Sequence, residues 1–319
     1  MDQNSNTESP PLPGIIATLV AGFELATSQI WLVAFPVVLD LFLWIGPRLR
    51  ITELVAELVE ALSGEPEIAE LVDIIVDVGP QTNLFTLLSF PIIGIPTLIG
   101  RLIPEQTPTR PVSYEVGDEY AYTLIVVVLS LIGIGLTALY LYLIGRVIKE
   151  GSEIERQTFS ENLRSIFVAF LRLLGFIIVF SVILMFLAIP LLPVAFILGM
   201  INSNLFVGVM LVAFIVVAAY LSLAIPGIVM NNRPIFMAIR ESIKLVIKNL
   251  MTTLNLLVIV FLIAIGTNLL WHLPEFGSWF TIVGILGHAF ISTALATAIF
   301  IYYRDRYSFF IGNELRVTE

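Results

Sequence analysis

A run of about sixty residues without a charged side chain, residues 173–232, limits the possible folds more than any other feature. A single α-helix of that length would extend for about 90 Å, roughly three times the thickness of the hydrocarbon core of a bilayer. The run must therefore fold back, and Pro190, Pro193 and the polar residues 202–204 mark where we expect the turn. The chain is 58% hydrophobic and 13% charged, with a mean hydropathy of +0.99, which predicts a polytopic membrane protein.

The predicted fold is an all-α integral membrane protein with six transmembrane helices. We expect one membrane domain, residues 14–319, after a disordered tail of residues 1–13. A seventh apolar segment, residues 84–102, is interrupted by two prolines and a glycine, so we interpret it as a re-entrant or interfacial hairpin covered by protein. The six predicted spans are 30–45, 121–145, 166–188, 205–230, 250–270 and 279–303.

The charges are distributed unevenly along the chain, and this predicts its topology. Residues 48–119 hold four arginines and twelve acidic residues, whereas twelve of the sixteen basic residues follow Gly145. The positive-inside rule places those basic clusters and both termini in the cytoplasm, with the protein in the cell membrane. Residues 48–119 then form an acidic external insertion between the first two spans. Its sequences TELVAELVEAL and EIAELVDIIVDV predict two amphipathic helices.

Residues 233–250, RPIFMAIRESIKLVIKNL, carry an unusual density of positive charge next to a predicted span. Arg240, Lys244 and Lys248 recur every four residues and so lie on one side of a helix. Ile239, Ile243, Val246 and Ile247 line the neighbouring face. This pattern predicts an inner-face helix in the headgroup plane, where anionic lipid contributes roughly 1 kcal/mol per basic residue. A topology signal alone, phosphate binding and protein docking are the alternatives.

The same pattern recurs earlier in the chain. When residues 238–257 are aligned with residues 162–181, Arg240 falls opposite Arg164 and Lys248 opposite Arg172. A third segment, starting at Thr18, fits the template without the basic residues. We therefore expect a threefold repeat of an inner-face helix followed by a transmembrane hairpin, with Arg164 and Arg172 as further interfacial residues.

The inner-face segment also resembles a known family. It is similar to the six-helix bacterial membrane proteins of uncharacterised function that include the membrane domain of some glycerophosphodiester phosphodiesterases. The resemblance covers residues 14–305 and implies the fold but no reaction, because no region here is polar enough to form the catalytic domain. The matching residues are Pro234, Ala238, Arg240, Ser242, Lys248 and Asn249.

Three polar residues lie within predicted spans and are candidates for transport chemistry. They are Asp40, His288 and Asn255. An ionisable group in a span is expensive unless it is paired or solvated, so each is either a structural hydrogen-bonding group or part of a path for an ion or proton. A polar cavity near the midplane would favour transport.

Other chemistry is poorly represented in the sequence. There is no cysteine, there are only two histidines, and the zinc, phosphate-loop, dinucleotide and nucleophile-elbow motifs are absent. We therefore expect no catalytic residues, no metal, no cofactor and no nucleic-acid partner. The predicted function is a non-enzymatic membrane protein that interacts with lipids or acts as an accessory or scaffold. The alternative is a small-molecule or ion transporter. Anionic membrane lipids are the expected partners, with a second copy or another membrane protein as further candidates.

Overall fold

The chain folds almost entirely into α-helices. The computed structural model describes residues 12–63, 69–90, 94–100, 107–150, 158–201, 203–273 and 275–312. The helices are α1 (Ile15–Ser28), α2 (Ala34–Ile45), α3 (Thr52–Leu62), α4 (Ala69–Val78), α5 (Glu119–Glu150), α6 (Phe159–Ile201), α7 (Ser203–Leu221), α8 (Ala224–Met230), α9 (Ile235–Lys248), α10 (Leu250–Trp271) and α11 (Thr281–Tyr307). The described residues also contain short 3-10 and π turns and two short strands, β1 (Arg48–Arg50) and β2 (Ser113–Glu115). The predominance of α-helix confirms the predicted all-α class.

Five helical segments of the described chain are long and apolar enough to cross a membrane. They are Glu119–Lys149, Phe159–Val194, Val207–Met230, Leu250–Trp271 and Thr281–Phe310. A sixth span results if α1 and the segment Ile30–Ile45, which are separated by a break at Gln29, count as one broken span. The predicted first span is thus not a continuous helix. It begins with a 3-10 turn, and α2 has only 12 residues where about twenty are needed to span.

The longest helix, α6, differs from two expectations, one about the prolines near its end and one about the segment around Arg164. We expected Pro190 and Pro193 to contribute to a turn, but both lie inside a continuous helix of 43 residues. Each proline removes one backbone donor, yet the helix continues on both sides of it. The inner-face segment around Arg164 also continues directly into the span instead of forming a separate helix. Helix α6 ends at Ile201, α7 begins at Ser203 and the two helices pack against each other, which agrees with the turn expected at residues 202–204. Residue 202 lies outside the described part of the chain. The threefold repeat stays a prediction.

The described residues fall into two compact units. The first unit comprises Met1–Leu25, Ile144–Phe261 and Ala294–Glu319. Within it, α6 packs against α7, and α9 packs against α6, α7 and α8. Helix α1 approaches α11 closely at Gly22, where an added Cβ would lie 2.6 Å from the Ala294 carbonyl oxygen and 2.7 Å from the Ala298 Cβ. A side chain at this position would therefore separate the two helices.

The second unit comprises Ala26–Leu143 and Leu262–Thr293 and contains both strands. Strand β1 pairs with β2 in parallel, with Leu49 opposite Tyr114. The buried side chain of Asn83 supports this pair, because its Oδ1 accepts the backbone N–H groups of Leu49 at 3.0 Å and Phe85 at 3.2 Å. The strands were not predicted. The two acidic amphipathic helices were, and they correspond to α3 and α4.

The predicted re-entrant segment 84–102 contains no membrane-spanning helix in its described parts. Leu84–Ser89 is a short 3-10 helix, and residues 94–100 are irregular. Phe90 adopts a left-handed conformation with φ of 45°, and the Gly94 N–H donates to the Phe90 carbonyl oxygen at 2.8 Å. This turn admits only glycine at position 94, since an added Cβ would lie 1.7 Å from the Ser89 carbonyl oxygen. Residues 91–93, 101 and 102 lie outside the described part of the chain.

Candidate functional site

Helix α9 presents its predicted basic face to the outside of the first unit. Arg240, Lys244 and Lys248 are all exposed. At about 100° per residue, their directions span an arc of about 80° on the helix. Beside them, Phe236 is 75% exposed and Ile247 61% exposed. The exposed side of α9 therefore has an apolar flank and a cationic flank, the arrangement expected of a helix at a membrane surface.

The opposite side of α9 is packed against protein, which corrects part of the predicted apolar face. Val246 was expected to face the acyl boundary, but it is completely buried, together with Leu245. Ser242 also points inward. Its Oγ donates to the Tyr220 carbonyl oxygen at 2.7 Å and accepts the Leu223 N–H at 3.2 Å. A polar residue on the buried side thus ties α9 to the end of α7.

The loop that leads into α9 receives side chains from several helices. We call this group of contacts the junction; it centres on Asn231, Asn232 and Arg233. Asn232 has a φ of 51°, a left-handed conformation that asparagine tolerates better than most residues. Asn231 Nδ2 donates to the Tyr303 hydroxyl oxygen at 2.9 Å. The remaining contacts are donated by Lys149 to the Met230 carbonyl oxygen, by Arg172 to the Asn232 Oδ1, and by Arg233 to the Tyr307 hydroxyl.

An ion pair joins the junction to the buried side of α9. Arg233 Nε lies 3.2 Å from Glu241 Oε1, and the two side chains are 24% and 9% exposed. Burial raises the pKa of Glu241 above its ordinary value, although the charges of Arg233 and Lys244 act in the opposite direction. For Arg233, burial lowers the pKa, but the hydrogen bond with Tyr307 and the charge of Glu241 outweigh it, and the pKa is raised. The surroundings thus favour the charged form of Arg233 and disfavour the charged form of Glu241.

The raised pKa of Glu241 predicts a pH dependence of stability. As pH falls, the folded chain takes up a proton at Glu241 before the unfolded chain does, so acidification favours the folded state at this group. This contribution is lost as pH rises through the raised pKa. We expect the melting temperature of the wild type, relative to that of Glu241→Gln, to rise as the pH falls from neutral towards the ordinary glutamate pKa of about 4.3. Thermal unfolding in detergent over this pH range measures the difference; a constant or opposite difference would contradict the assignment.

The residues that carry the family resemblance all have definite positions in this part of the chain. Pro234 precedes the first turn of α9, and Ala238 is buried. Asn249 separates α9 from α10; its N–H donates to the Leu245 and Val246 carbonyl oxygens, and its own carbonyl accepts the Thr253 N–H at 2.8 Å. Arg240 and Lys248 remain on the exposed side. The match therefore consists of packing and helix-end residues together with two surface cations.

The two predicted interfacial arginines of α6 differ from each other. Arg164 is exposed near the start of the helix, as an interfacial cation should be. Arg172 is half-buried and donates to Asn232 in the junction. Arg164 therefore resembles the cations of α9, whereas Arg172 holds α6 to the loop before α9.

Asp40, the first transport candidate, is completely buried and bonded to the backbone. Its Oδ2 accepts the Leu98 N–H and its Oδ1 accepts the Ile99 N–H, both at 2.9 Å. Backbone donors of an irregular segment at membrane depth must find partners within the protein. The two contacts therefore favour a structural role for Asp40, as the acceptor that holds residues 94–100 in place.

The other two transport candidates lie in different units. His288 is 8% exposed in the second unit, with Nε2 at 3.4 Å from the Ser292 Oγ. Asn255 is exposed on α10 in the part of that helix that belongs to the first unit. Transport by Asp40, His288 and Asn255 stays a prediction.

Sequence reasoning missed the aromatic and amide partners in the junction. Tyr303, Tyr307 and Asn231 were absent from the candidate residues, although they provide hydrogen bonds to the cations and the loop. Their spacing gives a partial signal, since Tyr303 and Tyr307 are four residues apart and so lie on one side of α11. What the sequence could not show is that this side of α11 meets the loop before α9.

The architecture supports assignment to a class of protein. Several helices long and apolar enough to cross a membrane, joined by an amphipathic helix with a basic exposed face, define a helical multi-pass membrane protein. Comparisons with protein-family models, curated proteins and solved structures give no match. The resemblance to the membrane domain of glycerophosphodiester phosphodiesterases accordingly stays a prediction.

Proposed function

We propose that this protein is a non-enzymatic membrane protein that binds anionic lipid headgroups through the exposed side of α9. The observation that supports the proposal is the pairing of two flanks on one helix. Arg240, Lys244 and Lys248 form the cationic flank, and Phe236 and Ile247 form the apolar flank. Cations alone would suit many acidic partners, whereas cations next to large exposed apolar groups suit the boundary between headgroups and acyl chains.

The position of α9 supports the same proposal. Only Asn249 separates α9 from α10, a candidate span, so its exposed side lies at the end of a membrane helix. The buried side is fixed to protein by Ser242 and Glu241, which leaves the helix little freedom to rotate. A helix held in this way meets headgroups with its cations already positioned, and an accessory or scaffold role at the bilayer follows from that contact.

The proposal predicts a selective loss of anionic-lipid binding when two cations of α9 are removed. At roughly 1 kcal/mol per cation, Arg240→Gln with Lys244→Gln should weaken binding about 30-fold at low salt. The weakening should shrink as ionic strength rises, because exposed charges are screened. Titration of the detergent-solubilised protein with fluorescent phosphatidylglycerol, and with phosphatidylcholine for comparison, measures the effect.

A matched variant removes the same charge elsewhere. Arg110 and Arg304 are exposed and lie outside α9, so Arg110→Gln with Arg304→Gln controls for net charge. This control should retain most of the phosphatidylglycerol affinity. An equal loss in both double variants would refute a binding role for α9, and so would wild-type binding that does not distinguish the two lipids.

A further inference from the structure

Among the residues that the structure describes, no side chain caps the amino end of α1. The first intrahelical bond runs from the Thr18 N–H to the Gly14 carbonyl oxygen at 3.0 Å, which leaves the N–H groups of residues 15–17 without intrahelical acceptors. Gly14 occupies the cap position and has no side chain, and the first turn contains no acidic residue. The positive end of the helix dipole is therefore uncompensated within the helix.

A buried arginine lies next to this helix end. Arg306 is 2% exposed, and its Nη2 donates to the Pro13 carbonyl oxygen at 2.9 Å. Its guanidinium carbon lies 3.9 Å from the centre of the Tyr302 ring. The neighbouring carboxylate of Asp305 pairs with Arg304 at 2.9 Å, and among the described residues no carboxylate forms a salt bridge with Arg306. Among the described residues, Arg306 Nε and Nη1 are buried and have no hydrogen-bond partner.

The uncapped amino end of α1 and the buried guanidinium of Arg306 together favour binding of an anion. A buried cation without a counter-charge is strongly unfavourable, and the ring of Tyr302 offsets only part of that penalty. The end of α1 adds further positive potential at the point where Arg306 contacts Pro13. Backbone N–H groups at a helix start combined with an arginine are the donors that proteins use for phosphate.

We propose that the amino end of α1 and Arg306 form a binding site for a phosphate group. Pro13 and Gly14 are exposed, and a Cβ added at Gly14 would meet no atom within 4 Å, so the part of the chain that the structure describes leaves the helix end open. The phosphate belongs either to a phospholipid or to free phosphate. The phospholipid alternative rests on the proposed function. Its support is that α11, the helix that holds Arg306, also contacts the junction before α9 through Tyr303 and Tyr307. The phosphate site itself does not depend on the cations of α9.

The test compares phosphate responses of the full chain and of two variants at one position. Gly14→Asp places a carboxylate at the helix cap, where it should compete with phosphate for the site. Gly14→Asn caps the helix equally well without a charge and is the matched control. Melting temperature is measured in detergent with inorganic phosphate or with chloride at equal ionic strength. It is then measured in nanodiscs of phosphatidic acid or phosphatidylcholine.

Phosphate or phosphatidic acid should raise the melting temperature of the wild type and of Gly14→Asn by about 2 to 4 °C. Gly14→Asp should show little response and should already melt higher without phosphate. Arg306→Gln should also lose the response, but its burial makes a folding defect a second explanation, so Gly14→Asp decides. A response in phosphatidic acid alone assigns the site to lipid, and a response to inorganic phosphate assigns it to free phosphate as well.

Two outcomes would overturn the proposal: no response of the wild type to either phosphate source, or an undiminished response of Gly14→Asp. The double variant Arg240→Gln with Lys244→Gln separates this site from the α9 surface. It should lose phosphatidylglycerol binding and keep the response to inorganic phosphate. The proposal of lipid binding by α9 and the proposal of a phosphate site at α1 can therefore fail independently of each other.

Discussion

Replacement of Asp40 by leucine is expected to destabilise the protein by about 2 to 4 kcal/mol. Leucine has a similar size but cannot accept the N–H groups of Leu98 and Ile99, which now donate to the carboxylate at 2.9 Å. Both donors are buried, and a buried donor without an acceptor costs about 1 to 3 kcal/mol. The gain from removing a desolvated carboxylate offsets part of that loss. Thermal unfolding in detergent, followed by circular dichroism, measures the change.

Two substitutions control this experiment. Asp40→Asn keeps one oxygen acceptor and should cost about half as much as Asp40→Leu. Asp77→Asn makes the same chemical change at an exposed position of α4 and should have almost no effect. Wild-type stability in Asp40→Leu would show that the contacts with residues 98 and 99 do not hold this segment. Such a result would remove the argument for a structural role of Asp40 and favour a role in transport.

The second large effect is expected at the ion pair beneath α9, and it should be asymmetric. Arg233→Met leaves Glu241 buried without its closest cation and should cost about 2 to 3 kcal/mol, below the usual value for a buried pair because Arg233 is partly exposed. Glu241→Gln should cost less than about 1 kcal/mol near neutral pH. The reason is that burial, which raises the pKa of Glu241, already opposes its charged form.

A double-mutant cycle measures the coupling within this pair. Arg233→Met combined with Glu241→Gln should be more stable than Arg233→Met alone, by about 1 to 2 kcal/mol. Arg304→Met serves as the control, since Arg304 is half exposed and pairs with its neighbour Asp305; it should change stability by less than about 0.5 kcal/mol. Additive losses in the cycle would mean that Arg233 acts through Tyr307 and not through Glu241.

The elements that local pattern determines were predictable from the sequence. The acidic helix 52–62 was predicted over the residues it occupies, because leucines and glutamates alternate at helical spacing within one short segment. The cations of α9 were placed on one exposed side for the same reason. Apolar runs of about twenty residues likewise identified the long helices, since the length requirement is set by the bilayer.

The elements that depend on long-range contacts were not predictable. The pairing of β1 with β2 joins residues more than sixty positions apart, and three-residue strands leave too short a pattern to recognise. Val246 belongs to the same apolar pattern as Ile247, yet one packs on protein and the other is exposed. Periodicity shows which residues share a side of a helix, but it does not show what lies against that side.

From the length of α6 we expect this protein to respond to bilayer thickness. From Arg172, whose guanidinium group bonds to the loop before α9, the helix continues without charge to Ile201, a distance of about 43 Å. A typical hydrocarbon core is about 30 Å thick, so a perpendicular crossing would leave about 13 Å of helix, or about two and a half turns, at or beyond the headgroups. This excess includes the exposed Phe196 and Ile197. Tilting of α6 or local thickening of the bilayer relieves that mismatch. Because α6 also packs against α9, the acyl-chain length of the surrounding lipid bears on the same unit that we propose binds the headgroups.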